Sequence, residues 1–496
     1  MSQLEEFIKD KKILVVGLGS LSGGVATCLW LLKHRAKLTI TDLRTKNDLS
    51  SSLKKLKRYL PQIKLRLGCH QKNDFKNNDI IVVNPGVKIE NNPYLKIAKK
   101  EKKFIENEMS LFFRFNQSPL IAITGTRGKT TITNWIGHFL RIQHPQTIIG
   151  GNMPDSPVLS FLDKTRADVP VILEISSFQL ELLKEKYQAP KIAIITNLFR
   201  DHLNRHNNMK NYAKIKANIF KNQQNTDYLI LNYQDKWTKF FLSFKPKSQI
   251  YFISNKPLPK SKNGIFNKAN RLYFQNNQKQ QLILNLKNFS QQWGKHNLNN
   301  LMFSILAAHL FGLNFSLIAK SISCLPHIQF REEIIHQSPD KKLIIINDTN
   351  ATTPEATIAA LERFTLLNLR SANSTGSTRL KNNNLILITG GTDKNLKFDE
   401  MARKIKKTIL PQNLIILNGS ASQKLIKELT RIKYSNYYSV FESLDECLSY
   451  GFCRLKQNKK NIILFSPGAA SFEKFQNEFD RGKKFNELIK NIKLLK

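Results

Sequence analysis

Acidic side chains are scarce in this chain: 37 Asp and Glu stand against 78 Lys and Arg in 496 residues, a formal net charge of +41. Long apolar runs are missing as well; none approaches the roughly 18 residues of a membrane span, so no membrane insertion is expected. The opening Met-Ser-Gln-Leu-Glu-Glu has neither the basic nor the apolar region of a secretory signal. The five cysteines (Cys28, Cys69, Cys324, Cys447, Cys453) are odd in number and include no metal-type CxxC pair. These absences predict a reduced, cytoplasmic protein. No run of five basic residues occurs, and lysine is spread along the whole chain, which argues against a dedicated nucleic-acid site. A basic surface that favours anionic nucleotides is the simpler expectation.

What is present is a glycine loop of a particular kind. Residues 121–131 read Ile-Ala-Ile-Thr-Gly-Thr-Arg-Gly-Lys-Thr-Thr. The β-branched Ile121 and Ile123 supply a strand, and Gly125 and Gly128 let backbone N–H groups approach a phosphate. Lys129 supplies a cation for β- and γ-phosphates, Thr130 a hydroxyl for Mg²⁺, and a helix is expected from about Thr131 with its N-terminus toward the anion. A general P-loop needs Gly where Ile123 stands, so this is a shorter form of the loop. Gly125, Thr126, Arg127, Gly128, Lys129, Thr130 and Thr131 are the candidate nucleotide-binding residues.

The length predicts two to four domains. Lys12–Val16, the glycine loop Gly17–Gly24, an apolar helix from Val25 to about Leu32, and Leu38–Thr41 ending at Asp42 form a βαβ start of the Rossmann type. Residues 1–116 are therefore expected to be one small α/β domain. Strands at Val169–Leu173, Ile192–Thr196 and Tyr228–Leu231 alternate with helical patterns, which predicts a mainly parallel sheet in a central domain, 117–329. Further strands are expected near Ile250–Ile253 and Leu272–Tyr273. Strands at Leu343–Ile346, Leu385–Ile388, Leu414–Leu417 and Ile462–Phe465 predict another α/β domain, 330–496, with a polar surface insertion at 371–384.

Chemistry-bearing residues fall at the ends of these strands. Glu174, after one strand, is placed to bind Mg²⁺; alone it reads equally as part of a helix-capping sequence. His202 follows the next strand and is a candidate metal ligand or substrate contact. In the helical stretch from Tyr212, periodicity does not choose between Lys214 and Lys216. In the third domain Asp348 suits a ribose hydroxyl, and Thr352, Lys394 and Ser471 lie on three strand-end loops that together suit a small carboxylate; each alone reads equally as ordinary turn chemistry.

Taken together, Thr-Gly-Thr-x-Gly-Lys-Thr-Thr and Glu174-Ile-Ser-Ser-Phe-Gln-Leu-Glu181 resemble the Mur ligase family, and within it the D-glutamate-adding branch. The resemblance spans nearly the whole chain. It implies three domains: an N-terminal Rossmann-like domain that holds a UDP-substrate, a central ATPase domain and a C-terminal Rossmann-like domain. It implies a monomeric, ATP-dependent amide ligase of peptidoglycan precursor synthesis that joins UDP-N-acetylmuramoyl-L-alanine and D-glutamate through an acyl phosphate. Carried over by position, Lys129, Glu174, His202 and Lys216 are catalytic. Thr130, Glu174, His202 and Lys216 surround two Mg²⁺ ions, Lys216 as a carbamoylated lysine. Asn297 and Asn300 lie on the adenine side, and Arg331 and Asp348 also contact ATP. Gly17, Gly19, Ser20, Asp42, Arg44 and Asn152 contact the UDP-substrate, while Thr352, Lys394, Ser471 and Phe472 form the D-glutamate pocket.

The chain departs from the family pattern in four places. The N-terminal glycine loop is about one residue longer, Met153-Pro154 replaces Ile-Gly, Asn350 replaces a common Lys, and Glu478 stands where an aromatic packs. Gly17-x-Gly19 alone would also suit a nicotinamide enzyme, but UDP binding accounts for it equally.

Overall fold

The computed structural model describes residues 3–19, 22–153, 156–183, 187–286, 289–294, 296–368, 383–435 and 437–492. Ser20 and most of the 371–384 insertion lie outside them. The chain forms two compact units, Met1–Leu286 with Asn299–Pro326, and Lys287–Leu298 with His327–Lys496.

The first unit holds two sheets. The N-terminal one has five parallel strands, β1 Lys12–Val16, β2 Lys37–Asp42, β3 Lys64–Leu67, β4 Ile80–Val83 and β5 Phe104–Glu106, in the order β3-β2-β1-β4-β5. Strand order reverses beside β1, so the Gly17 loop opens at a switch point, where α/β sheets bind ligands.

The second sheet has nine strands: β6 Leu120–Thr124, β7 Ile148–Gly151, β8 Val171–Glu174, β9 Ile192–Ile195, β10 Tyr228–Asn232, β11 Gln249–Ser254, β12 Asn263–Lys268, β13 Arg271–Asn276 and β14 Lys279–Asn285. Their order is β14-β13-β12-β11-β10-β9-β6-β8-β7. Strands β7 to β12 pair in parallel around β6, whose five residues are all buried, as a strand covered on both faces requires. Only β12-β13-β14 is antiparallel. Both of its turns place two successive residues at positive φ, Ala269-Asn270 and Asn277-Gln278, which matches the right-handed strand twist. A continuous core runs from Ile13 and Val15 of β1 through Phe112 and Phe113 to Leu173 of β8 and Ala193 of β9.

The second unit contains β15 Glu333–Gln337, β16 Leu343–Asn347, β17 Asn383–Thr389, β18 Leu414–Leu417, β19 Ser439–Phe441 and β20 Lys460–Phe465, ordered β15-β16-β20-β17-β18-β19. Only β15 is antiparallel to its neighbour. Separate apolar clusters cover the two faces, one around Phe364 and Leu425, the other around Phe465 and Phe485. The segment 287–298 belongs to this unit. The bounds of the strands the sequence predicts otherwise shift by up to three residues, and β3, β5, β7, β12, β14, β15 and β19 are not among those predicted.

Candidate active site

Three adjacent strands, β8, β6 and β9, end side by side and carry the phosphate loop, Glu174 and the Thr196-Asn197 pair. Register fixes this: Ile123 lies opposite Glu174, and Thr124 opposite Ile195. The helix after the loop runs Lys129–Leu140, two residues earlier than the sequence suggests. Gly128 caps it at φ 84, a conformation that needs no side chain, and a Cβ there would collide with Asn300 Oδ1.

The loop is held by residues distant in sequence. Arg127 N–H donates to Asn197 Oδ1 at 2.9 Å, and Thr196 Oγ1 donates to the Arg127 carbonyl at 2.7 Å. Thr126 Oγ1 is 3.3 Å from the Tyr212 hydroxyl. Lys129 Nζ donates back to the Gly125 and Thr126 carbonyls at 3.2 and 3.3 Å, the positions from which it can swing to a phosphate. Thr130 Oγ1 donates to Glu174 Oε2 at 2.7 Å, and Asn152 Nδ2 reaches Glu174 Oε1 at 3.3 Å. Glu174 is 3% exposed, a buried acid aimed at the loop.

Lys216 is 1% exposed, whereas Lys214 on the same helix is exposed. Lys216 Nζ donates to Thr124 Oγ1 at 3.2 Å and to the Gly125 carbonyl at 3.0 Å, and lies 4.7 Å from the centroid of the Tyr212 ring. Among the described residues it makes no ion pair. Burial, and then the Lys129 charge, hold its amine well below the usual lysine range, while Asp201 and Glu174 oppose the shift. The amine is thereby biased toward its neutral, nucleophilic form.

His202 stands on the loop after β9 at φ 52, its ring 5.0 Å from that of Phe178 and its Nε2 3.6 Å from Asp201 Oδ2. Behind it His206 stacks on Tyr212 at 5.2 Å and meets Ser177 Oγ at 2.9 Å. Burial, with the charges of His202, Lys216 and Arg205, pushes His206 down to about 4. Arg205 makes a bidentate pair with Glu181 at 2.8 and 2.7 Å and donates to the Val87 carbonyl at 2.7 Å, tying the turn after β4 to the short helices that follow β8 and β9. Asn197, Asp201, Arg205, His206 and Tyr212 carry no assigned role in the sequence reading. The loop and helix partners of Asn197, Arg205 and Tyr212 lie 24 to 118 residues away, and only the stretch Asn197–His206 after a strand hinted at them.

Among the described residues no three His, Cys, Asp or Glu side chains gather as a metal cage. Mg²⁺ does not need one: it keeps waters and takes one or two carboxylates plus substrate phosphates, which Thr130 and Glu174 fit. In the N-terminal sheet Asp42 is 4% exposed and accepts from Gly19 N–H at 3.2 Å and from Arg44 N–H at 3.0 Å. Burial raises its titration, but these bonds and the Arg44 charge outweigh it and hold the carboxyl below its usual range.

The second unit brings its own set together. Asp348 accepts from Glu332 N–H at 3.0 Å and Ser466 Oγ at 2.7 Å, and burial plus the Glu332 charge push its carboxyl upward. Arg331 stands between Phe330 and Glu332, both at positive φ. Thr352 is half-buried, and Lys394 Nζ lies 5.2 Å from the Phe472 ring centroid on the exposed side. Among the described residues Ser471 Oγ is buried without a hydrogen-bond partner. Beneath this loop the buried Arg481 donates to the carbonyls of Thr349, Ala469 and Ala470, and burial lowers it to about 10. Asn297 Nδ2 donates to the Trp293 carbonyl at 2.6 Å, within this unit, whereas Asn300 belongs to the first.

The loop, the buried acid and the parallel strand order define a P-loop nucleotide-binding α/β architecture. Residues 11–106 match the family model described as Mur ligase MurD-like, N-terminal domain, and residues 123–308 that of the Mur ligase middle domain. The UDP-N-acetylmuramoylalanine--D-glutamate ligase of Borreliella burgdorferi strain ZS7 is 36% identical, over 98% of this chain and 99% of its own. Those of Roseiflexus sp. strain RS-1 and Clostridioides difficile strain 630 are 34% and 31% identical, again over 98% of this chain and 99% and 100% of theirs. The crystal structure of UDP-N-acetylmuramate-alanine ligase from Thermotoga maritima shares the fold, with a TM-score of 0.57 at 17% identity over 97% of this chain and 99% of that one. The chain belongs to the Mur ligase family.

Proposed function

We propose that this chain is the ATP-dependent ligase that adds D-glutamate to UDP-N-acetylmuramoyl-L-alanine in cytoplasmic peptidoglycan precursor synthesis. The observation that carries the reading is the full-length likeness to D-glutamate ligases, at up to 36% identity over 98% of the chain. The geometry supports it: a phosphate loop, a buried acid bonded to its threonine, and a buried lysine under the same loop suit phosphoryl transfer to a carboxylate.

A carboxylate is a poor electrophile. In the proposed reaction the L-alanine carboxylate oxygen attacks the γ-phosphorus of ATP and ADP leaves. The D-glutamate amine then attacks the acyl carbon, loses a proton, and phosphate departs. Lys129 and the loop N–H groups hold the phosphate oxygens and stabilise the charge that develops on them. Thr130 and Glu174 are the residues that would hold Mg²⁺, which when bound neutralises phosphate charge. His202 and a carbamoylated Lys216 are proposed for a second Mg²⁺; the buried, neutral-leaning amine suits capture of CO₂. Asn297, Asn300, Arg331 and Asp348 are proposed to bind ATP. Asp42, Arg44, Asn152 and the Gly17–Gly19 loop are proposed to bind the UDP-substrate. Thr352, Lys394, Ser471 and Phe472 are proposed to bind D-glutamate. The working parts are taken as 1–116, 117–329 and 330–496, in a monomer. No helix among the described residues is long and apolar enough to cross a membrane.

The test is phosphate release with ATP, Mg²⁺ and UDP-N-acetylmuramoyl-L-alanine. D-glutamate should support turnover, while L-glutamate, L-alanine and diaminopimelate should not. Turnover only with a folate and L-glutamate, or ATP hydrolysis driven by nucleic acid, would overturn the reading.

A further inference from the structure

We infer that Glu332 and Arg363 act as a positioning pair that fixes the Asn297 turn to the Asp348 strand end within the second unit. Both side chains are buried, at 7% and 5% exposure. Arg363 Nη1 donates to Glu332 Oε2 at 2.5 Å, and Nη2 donates to the Gln292 carbonyl at 2.6 Å. That carbonyl lies in the short helix Phe289–Trp293, whose Trp293 carbonyl accepts from Asn297 Nδ2. On the other side Glu332 donates its backbone N–H to Asp348 Oδ1 at 3.0 Å. His296 completes the link, with Nε2 3.7 Å from Glu332 Oε1 and 3.0 Å from Asn297 Nδ2.

One ion pair thus reaches, through single hydrogen bonds, the element that orients Asn297 and the strand end that carries Asp348. Glu332 takes φ 46, a left-handed conformation that persists only where its surroundings over-determine it. A buried ion pair is a weak source of stability, because an apolar pair of similar volume serves as well. What the charged pair adds is direction: the planar guanidinium holds a carboxylate and a carbonyl in one fixed fork. Glu332 and Arg363 touch no substrate in this account and act through Asn297 and Asp348. The inference therefore rests on the proposed ATP contacts of those two residues.

The test is steady-state kinetics on the full-length chain. The double variant Glu332→Met/Arg363→Met keeps the volume and removes both charges. Its KM for ATP should rise about tenfold, the scale of one lost charge-assisted hydrogen bond, with the KM for D-glutamate and the melting temperature unchanged. A pair that only packs would leave the KM for ATP at its original value, and that result overturns the inference. Should the double variant fail to fold, Arg363→Lys retains the charge but not the fork; a severalfold rise in the KM for ATP supports the inference and an unchanged value overturns it. Asn297→Ala separates the two failures. If it raises the KM for ATP while the pair variants do not, only the positioning role falls; if it too has no effect, the reading of the ATP site falls with it.

Discussion

The two strand-end regions handle charge in opposite ways. Around the phosphate loop, Lys216 and Glu174 are buried with carbonyl, hydroxyl and amide partners rather than with each other. In the second unit Glu332 instead takes an opposite charge, that of Arg363. Its side chains proposed for amino-acid binding, Lys394 and Phe472, remain exposed. Buried charges left without an opposite charge are costly unless a ligand supplies it. On the proposed reading, the first region suits chemistry on a charged group and the second suits holding one in place.

Variants sharpen this contrast, beginning with the largest effect. Lys129→Ala should lower kcat about 10³-fold or more in the phosphate-release assay, because it removes positive charge at the transferred phosphoryl group; near-normal turnover would erase the distinction between the regions. Lys216→Ala should cost about 10²-fold or more, as loss of a metal-site ligand does, and short carboxylic acids should restore part of it. Absence of rescue would point to Lys214 or to no carbamate. Ser471→Ala, in the binding region, should raise the KM for D-glutamate about tenfold with kcat little changed, the signature of lost substrate binding. Its urea midpoint should hold or rise, since the hydroxyl has no partner among the described residues to lose.

The smallest effect concerns pH. His206 titrates at about 4 in the folded chain against 6.5 for an ordinary histidine. The unfolded chain then binds the extra proton first, so the histidine's neutral burial favours folding fully above 6.5 and less as pH falls toward 4. The melting temperature should decline over that window, and His206→Phe, which keeps the stack on Tyr212, should flatten the decline.

The phosphate loop and the parallel core strands were legible because burial on both faces demands β-branched runs, and phosphate binding demands glycine and lysine at fixed spacing. The β12-β13-β14 hairpins were harder to read. Their turns, Ala269-Asn270 and Asn277-Gln278, contain no glycine, and β14 is largely exposed and polar. The choice between Lys214 and Lys216 needed burial, which helical period alone did not supply. Asn197 and Tyr212 brace the loop across some 70 and 86 positions of sequence, a relation no local pattern carries.

Arg205 also has a thermodynamic consequence. Its guanidinium serves Glu181, at the end of the helix Ser177–Leu180 that follows β8, and the Val87 carbonyl beyond β4, and one core runs through both sheets. Parting the two sheets would strip the Val87 carbonyl of the Arg205 guanidinium and open their shared core. The N-terminal and central sheets should accordingly melt as one cooperative block, with slow amide exchange in β1 and β6 lost together.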